Sequence, residues 1–433
     1  MLGWEYPPHI SGGLGTACEG LTRSLARQNI DIIFVVPHIF GGERAEHMHL
    51  CGSTDPLKIS THPQELLEMI EGLDIQRIPS FLLPYSNPKA FSTWIESLAA
   101  QLSDQAIAFG LSYFASLSSG ARRELKDDRY SGDIFTEVAR FAADVLLRFS
   151  GAKVDLIHAH DWMTFPAALA LKKALNVPLF LHVHSLEFDR SGGGANQQIA
   201  EIERFALQAA DQVIAVSYYT RSLINRLYGV ALDKIEVVHN GVYSSELVRT
   251  YRKERNWGSR VVLFLGRITF QKGPDYFVEA AAKVLPHVPD ALFVMAGSGD
   301  MLPQIQRRIS ELGIEKHFYF PGFVRGAEVE QMFSLADVYV MPSVSEPFGI
   351  SALEAISYNT PVIISRQSGV AEVLKHALKV DFWDIQKLAD RIINALIHAE
   401  LREDIVAMAR EELKRLHWDA AAQKCIEVYR SAV

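Results

Sequence analysis

Two carboxylates and two cations carry the chemistry most readily seen in this sequence. Glu346 and Glu354 are separated by seven residues around Pro347, Phe348 and Gly349. Glu346 falls in the loop after an apolar run at 338–341, and Glu354 lies about a turn into the helix that Gly349 opens, so the loop can carry Glu346 toward the face presenting Glu354. Carboxylates accept hydrogen bonds from vicinal hydroxyls, so such a pair suits a ribose and a hexose held side by side. A helix dipole favours one acidic residue near its N-terminus, but that accounts for one glutamate and not for both.

Upstream, the run 261–265 ends at Gly266, and Arg267 and Lys272 follow before Gly273 and Pro274, a residue suited to the first position of a helix. This spacing sets two cations at the C-terminal edge of a parallel sheet beside a helix N-terminus, where doubly wound sheets bind phosphates. Their charges repel unless an anion or a carboxylate lies between them. Gly12, Gly13 and Gly15 stand between a Pro7-Pro8 turn and a helix, where backbone N–H groups can approach an anionic or sugar ligand; a plain tight turn would carry the same glycines.

Histidines cluster on two strands. His158, His160, Asp161 and Trp162 close one apolar run, and His182 and His184 close the next. Alternate residues of a strand share a face, which invites a metal ion. No third and fourth ligand at defined spacing is evident, and hydrogen-bonded core histidines explain the pattern. No metal is expected; His160 is kept as a candidate, with His184 behind it.

These residues need rigid elements to hold them. Short β-branched runs recur at 30–37, 154–158, 179–184, 212–216, 234–239, 261–265, 291–296, 318–320, 338–341 and 361–364, with helical patterns such as 15–28 and 276–285 between them. Strands alternating with helices predict an α/β fold with doubly wound parallel sheets. The alternation breaks at charged residues near 249–255 and starts afresh after Trp257 and Gly258. The domains expected are therefore 1–243, a linker at 244–260, 261–414, and a terminal amphipathic helix within 415–433. Met1 to Gly3 reads as the last residues of a strand whose beginning is missing. Residues 50–130, with Pro79, Pro84 and Pro88 and a helical pattern at 91–117, suit acceptor recognition or a lid, or plain helical packing.

The totals bound the class. A chain of 433 residues, 48% hydrophobic and 22% charged, builds packed cores, and its length suggests more than one domain. The net charge of -8 supplies no general attraction to nucleic acid or anionic lipid. Three distant cysteines, Cys18, Cys51 and Cys425, suggest neither a disulfide framework nor a zinc site. The N-terminus lacks a basic, then apolar, leader, and no run approaches the ~18 apolar residues of a membrane span. A cytoplasmic protein without an integral membrane segment or nucleic-acid partner is expected; the oligomeric state stays open.

Together, Glu5 to Pro8 with the Gly12-Gly13-Leu14-Gly15 run, His160-Asp161-Trp162, His239 to Val242, Gly266-Arg267 with Lys272-Gly273, Gly297-Ser298-Gly299, and Glu346 through Glu354 resemble the retaining glycosyltransferases of family 4, of the GT-B fold, and especially their glycogen and starch synthase-like members. The resemblance covers almost the whole chain. It implies two Rossmann-like domains facing a cleft, the C-terminal one holding a nucleotide sugar and the N-terminal one the acceptor, with the last helix crossing back. By that resemblance Arg267 and Lys272 hold the donor diphosphate, Glu346 the donor sugar and Glu354 the ribose. His160 lies beside the transferred sugar, and Gly322, Phe323 and Val324 meet the base. Gly12, Gly13, Gly266, Gly297, Gly299, Phe348 and Gly349 complete the donor site, and Asp161, His184 and Asn240 fall to the acceptor or sugar.

The implied reaction moves glucose from UDP- or ADP-glucose to an α-glucan with retention. It needs no metal or other cofactor, because cations and helix N-termini placed at the leaving diphosphate stabilise its growing charge. No Asp-x-Asp motif occurs; Asp127 and Asp128 are adjacent acids in a charged loop. Starch-type synthases carry Lys-Thr before Gly-Gly-Leu where this chain has Ile10-Ser11, which leaves the donor nucleotide open. Alternatives are a family 4 transferase using sucrose phosphate, a lipid-linked or an envelope saccharide, and, further off, a GT-B epimerase or phosphorylase.

Overall fold

Leu2 lies between two strands as their shared neighbour: it bridges in parallel to Val35 on one side and to Ala159 on the other. Its amide donates to His158 O at 2.8 Å, and its carbonyl accepts from His160 N at 3.0 Å. In this computed structural model, which describes residues 1–10, 12–43, 45–53, 134–243 and 260–432, the segment Met1 to Gly3 thus joins a two-stranded pair to a four-stranded set. The pair is β1 (Ile33–Val36) and β2 (His49–Gly52), and the set is β3 (Ile157–His160), β4 (Leu179–Val183), β5 (Gln212–Ala215) and β6 (Ile235–Val237). With Leu2 counted as the first strand, the spatial order is 3-2-1-4-5-6-7, the doubly wound arrangement with one further strand at the edge.

The second sheet repeats the 3-2-1-4-5-6 part of that order. It contains β7 (Arg260–Leu265), β8 (Ala291–Ala296), β9 (Phe318–Gly322), β10 (Val338–Met341), β11 (Val362–Ser365) and β12 (Leu378–Val380), arranged β12-β11-β10-β7-β8-β9 and all parallel. The first and fourth strands, β7 and β10, are neighbours, so the connections diverge there and open a crevice at their C-terminal ends. Successive residues of β7 point to opposite faces. Val262 and Phe264 pack with Phe277 and Val278, while Val261 and Leu263 pack with Phe333 and Ile356. Helices cover both faces, which is why the strands are apolar throughout.

Helices α1 (Gly13–Arg27), α2 (Ile134–Phe149), α3 (Phe165–Leu175), α4 (Glu187–Ser191), α5 (Gln197–Ala209) and α6 (Tyr218–Tyr228) accompany the first sheet. Helices α7 (Pro274–Val284), α8 (Leu302–Glu311), α9 (Ala327–Leu335), α10 (Ile350–Ser357), α11 (Val370–Val373), α12 (Ile385–Ile397) and α13 (Ala399–Leu413) accompany the second. The last helix, α14 (Trp418–Ala432), packs against α1: Trp418, Ala422 and Cys425 share a core with Ala17, Leu21 and Leu25. The chain reaches it because Val242 N donates to Leu416 O at 2.9 Å, and Gly241 leaves room for the His417 backbone.

Strands β2 and β12 were not expected; both are short and at sheet edges, too brief for periodicity to register. The helical pattern at 91–117, the acids Asp127 and Asp128, Ser11 and nearly all of the linker fall outside the described residues. Among the described residues no helix is long and apolar enough to cross a membrane.

Candidate active site

Between β7 and α7 the backbone is forced into shape by glycine. Gly273 sits at φ 65° and a Cβ there would meet Pro342 O at 2.2 Å, so only glycine allows the loop to press against the end of β10. Pro274 then opens α7. This close approach brings Lys272 to the loop after β10: its Nζ lies 2.5 Å from Glu346 Oε2, and Ser343 Oγ donates to the same oxygen at 3.1 Å. The carboxylate that meets Lys272 is thus Glu346. Arg267 is held differently, donating to Gln271 Oε1 at 3.0 Å, and Gln271 O accepts from Val344 N at 2.9 Å.

Glu346 is itself fixed at both backbone ends, donating through N to Gln367 O and accepting through O from Gly369 N, each at 2.9 Å. Phe348 is buried, its carbonyl accepting from Val370 N at 2.7 Å. Gly349 at φ 105° precedes α10. Within α10, burial pushes the Glu354 carboxyl up to about 7. Tyr339 of β10 feels both glutamates, and its hydroxyl pairs with Ser351 Oγ at 2.8 Å. A small cavity at this edge is lined by Leu265, Lys272, Tyr339, Ser343 and Ser351.

The neighbouring glycines pack backbone on backbone. A Cβ on Gly297 would meet Gly266 O, and one on Gly299 would meet Ile268 O at 2.2 Å. Gly297 N donates to Gly322 O at 2.8 Å, tying in the next loop. There Phe323 is exposed, with the Arg325 guanidinium 4.8 Å from its ring centroid, and Val324 is packed against the core.

In the other half, Gly12 and Gly13 face open space at the start of α1, so their smallness serves room rather than backbone strain. Gly15 is tightly enclosed by Ile10 and donates to Glu5 Oε1 at 3.3 Å. A cavity beside them is lined by Trp4, Glu5, Tyr6, His9, Phe40 and Glu43; of these, sequence reasoning singled out only Glu5 and Tyr6, as part of a motif. Asn240 is buried in the loop after β6.

The histidines form one cluster. Strand register sets His160 opposite His182. His158 Nδ1 meets Tyr429 OH at 2.6 Å, His158 Nε2 meets His182 Nδ1 at 3.2 Å, and His160 Nδ1 meets His184 Nε2 at 3.0 Å. Burial holds all four imidazoles below their ordinary value, His184 at about 3. His158, His160 and His182 bring ring nitrogens within 4.8 Å of one another, a spacing that suits a metal ion. The third ligand is supplied by strand pairing, which spacing along the chain does not display. His160 Nε2 is buried without a protein partner, and the His160 side chain has no exposed surface. The group expected beside the transferred sugar is therefore enclosed, and of this cluster only His184 retains surface. Asp161, at φ 60°, ties the ends of β3 and β4 together by accepting from His184 N and Ser185 N at 2.6 and 3.2 Å; burial raises its carboxyl to about 6.

The two halves meet around the Glu346 loop. Ser345 Oγ donates to Asp189 Oδ1 at 2.5 Å and pairs with Tyr219 OH at 2.9 Å. Pro347 O accepts from Ser217 Oγ at 2.6 Å, and Glu372 accepts from Tyr218 N and Tyr219 N at the start of α6. Asp189, Ser217, Tyr219, Ser345 and Glu372 were missed, because contacts between distant segments leave no periodic mark.

Residues 249–412 match the family described as glycosyl transferases group 1, and residues 120–246 match glycosyltransferase family 4. The chain is 29% identical to a glycosyltransferase of Methanocaldococcus jannaschii over all of this chain and 98% of that one. It is 26% identical to a glycogen synthase of Mycobacterium tuberculosis over all of this chain and 94% of that one. It is 30% identical to the alpha-maltose-1-phosphate synthase of Mycolicibacterium smegmatis over 67% of this chain and 82% of that one. Among solved structures, a sucrose-phosphate synthase from Thermosynechococcus elongatus superposes with a TM-score of 0.72 at 17% identity, covering 99% and 97% of the two chains. HepE of Anabaena in complex with UDP-glucose superposes at 0.59 with 21% identity, covering 69% and 84%.

Proposed function

The chain belongs to the family 4 glycosyltransferases of the GT-B fold, and from that premise we propose that it moves glucose from UDP- or ADP-glucose to an α-glucan with retention. The observation carrying this reading is the Lys272–Glu346 contact at the crevice between β7 and β10, beside the starts of α7 and α10. Breaking the anomeric C–O bond leaves negative charge on the diphosphate and oxocarbenium character on the sugar. Arg267, Lys272 and the helix N-termini stabilise the first, and Glu346 meets the sugar. Glu354 accepts from ribose hydroxyls. Gly266, Gly297, Gly299 and Gly322 let the backbone approach the nucleotide, with Phe323 and Val324 at the base. No metal is needed for this charge balance, and no cofactor besides the donor takes part. The glycogen synthase likeness along the whole chain supports the glucan acceptor, and the UDP-glucose complex of HepE supports the donor.

His160 acts in this reading by orienting His184, which faces the sugar together with Asp161 and Asn240 on the acceptor side. The likeness to alpha-maltose-1-phosphate synthase favours a second acceptor, a sugar phosphate. The test is transfer of label from UDP-, ADP- and GDP-glucose to glycogen, to glucose 1-phosphate and to water. Labelled polymer from UDP- or ADP-glucose supports the first reading, and a labelled phosphorylated disaccharide replaces it with the second. Absence of any nucleoside diphosphate release overturns both.

A further inference from the structure

Segment Glu187 to Gly192 supplies no group to the donor site, yet it touches both loops that build that site. Asp189 takes the hydroxyl of Ser345, next to Glu346, and a Cβ on Gly192 would meet the ring of Phe270 at 2.6 Å, next to Gln271 and Lys272. We propose that Asp189 is a positioning residue: through Ser345 it sets Glu346 in its productive place when the two halves of the cleft meet. This rests on the glycosyltransferase reading of the Glu346 site.

The segment is built to be rigid. Arg190 donates to Glu187 Oε2 at 3.3 Å and to Glu203 Oε1 at 3.1 Å, and Glu187 N donates to Glu203 Oε1 at 2.9 Å. Tyr228 OH closes the network on the other Glu203 oxygen. The remaining oxygen of Asp189 accepts from Leu186 N at 2.8 Å. Asp189 therefore cannot swing to follow its partner; the partner must come to it. Buried hydrogen-bonded networks of this kind fix geometry more than they add stability.

Ser345 is the point where that geometry is passed on. Its hydroxyl donates to Asp189 and accepts from Tyr219 OH, while the carbonyl of Pro347, on the far side of Glu346, accepts from Ser217 Oγ and, at 3.3 Å, from Thr220 Oγ1. Glu346 is thus bracketed at both neighbours by the first half, and at its own backbone by Gln367 and Gly369 of the second. Only with the cleft closed are all four constraints present. The donor diphosphate ligands Arg267 and Lys272 belong to the second half alone, so nucleotide affinity and sugar transfer respond differently to loss of the bracket.

The test compares Ser345→Ala, Asp189→Asn and the double variant with the full-length wild type, measuring kcat with the preferred donor and the Kd for UDP by calorimetry. The expected result is a fall in kcat on the order of 10–100-fold in each single variant, as for a reacting group displaced by a fraction of an ångström to an ångström. UDP affinity stays within about twofold, and the double variant is no worse than the more impaired single one, as for residues acting through one contact. A kcat within about twofold of wild type in Ser345→Ala, additive losses in the double variant, or a loss confined to UDP affinity each overturns the proposal. Ser345 lies on the loop rather than in a core, so its variant keeps the test decisive if Asp189→Asn fails to fold. A wild type inactive with every donor overturns the transferase reading instead.

Discussion

Lys272 Nζ and Glu346 Oε2 lie 2.5 Å apart although 74 positions separate the residues in sequence. Both side chains are mostly withdrawn from water, so neither readily finds water in place of the other. Lys272→Ala removes the proposed diphosphate ligand and takes the counter-ion from Glu346, leaving Ser343 Oγ as the donor to its Oε2. Breaking such a pair from one side costs about 3 kcal/mol or more. Lys272→Ala is therefore expected to lose most donor binding and to unfold at lower temperature. Adding Glu346→Gln restores the stability but not the binding. Calorimetry with UDP-glucose and thermal denaturation of both variants check this; a double variant no more stable than the single one refutes it.

Glu354 supplies a pH signature. Burial raises its carboxyl from 4.5 to about 7, so between those values the folded protein holds a proton that the unfolded chain has released. Its contribution to stability is full below about 4.5 and is lost as pH rises through about 7. The proposed role of Glu354 in accepting ribose hydroxyls favours the ionised form, so under that proposal nucleoside diphosphate affinity strengthens as pH rises through that same value, with proton release on binding. Titration calorimetry in two buffers of different ionisation enthalpy measures the release, and Glu354→Gln should abolish both effects.

Much of this site is legible from local signals. The run ending at Gly266, the cations at Arg267 and Lys272 and the proline opening α7 all lie within one stretch, and a strand followed by a phosphate loop and a helix is a local pattern. What was not legible comes from pairing between distant segments. The approach of His182 to His160 depends on the register of β3 and β4, and Asp189 meets Ser345 across 156 positions. Glu346 is legible as a loop carboxylate, but its pairing with Lys272 follows from Gly273 pressing on Pro342, a packing fact. The enclosure of His160 is likewise a consequence of four imidazoles stacking, which no single strand shows.

The contact between α1 and α14 also yields a stability prediction. A Cβ on Gly20 would meet the Trp418 indole at 2.1 Å, and Trp418 is buried. Gly20→Ala improves helix propensity, yet it must displace a large ring from a filled core. The overpacking cost, about 1–3 kcal/mol, exceeds the propensity gain of about 1 kcal/mol unless the ring can shift cheaply. A lowered urea midpoint and a red-shifted tryptophan emission are expected in Gly20→Ala, with Trp418→Ala in the same background recovering none of the loss, since it removes the ring altogether. An unchanged midpoint shows that the ring yields.

The buried histidine cluster contributes a loss of stability toward acid. Burial holds His158, His160 and His182 well below 6.5, and His184 at about 3. Below about 6.5 the unfolded chain takes up protons that the folded protein refuses, so stability is present above that pH and is lost progressively as pH falls toward 3. Asp161 and Glu203, raised by burial to about 6 and about 7, act in the opposite sense, favouring the fold as pH falls. Asp144 and Glu354, raised by burial to about 6 and about 7, act with these carboxyls, so the share of the acid response that belongs to the imidazoles is read by removing one of them. His182→Asn removes one refused proton, and its midpoint should decline less steeply with acidification even though its value at pH 7.5 is lower, because the bond to His158 is gone. Parallel slopes in the two proteins would mean that His182 is not titrating in this range. The slope, unlike the midpoint, separates protonation from packing.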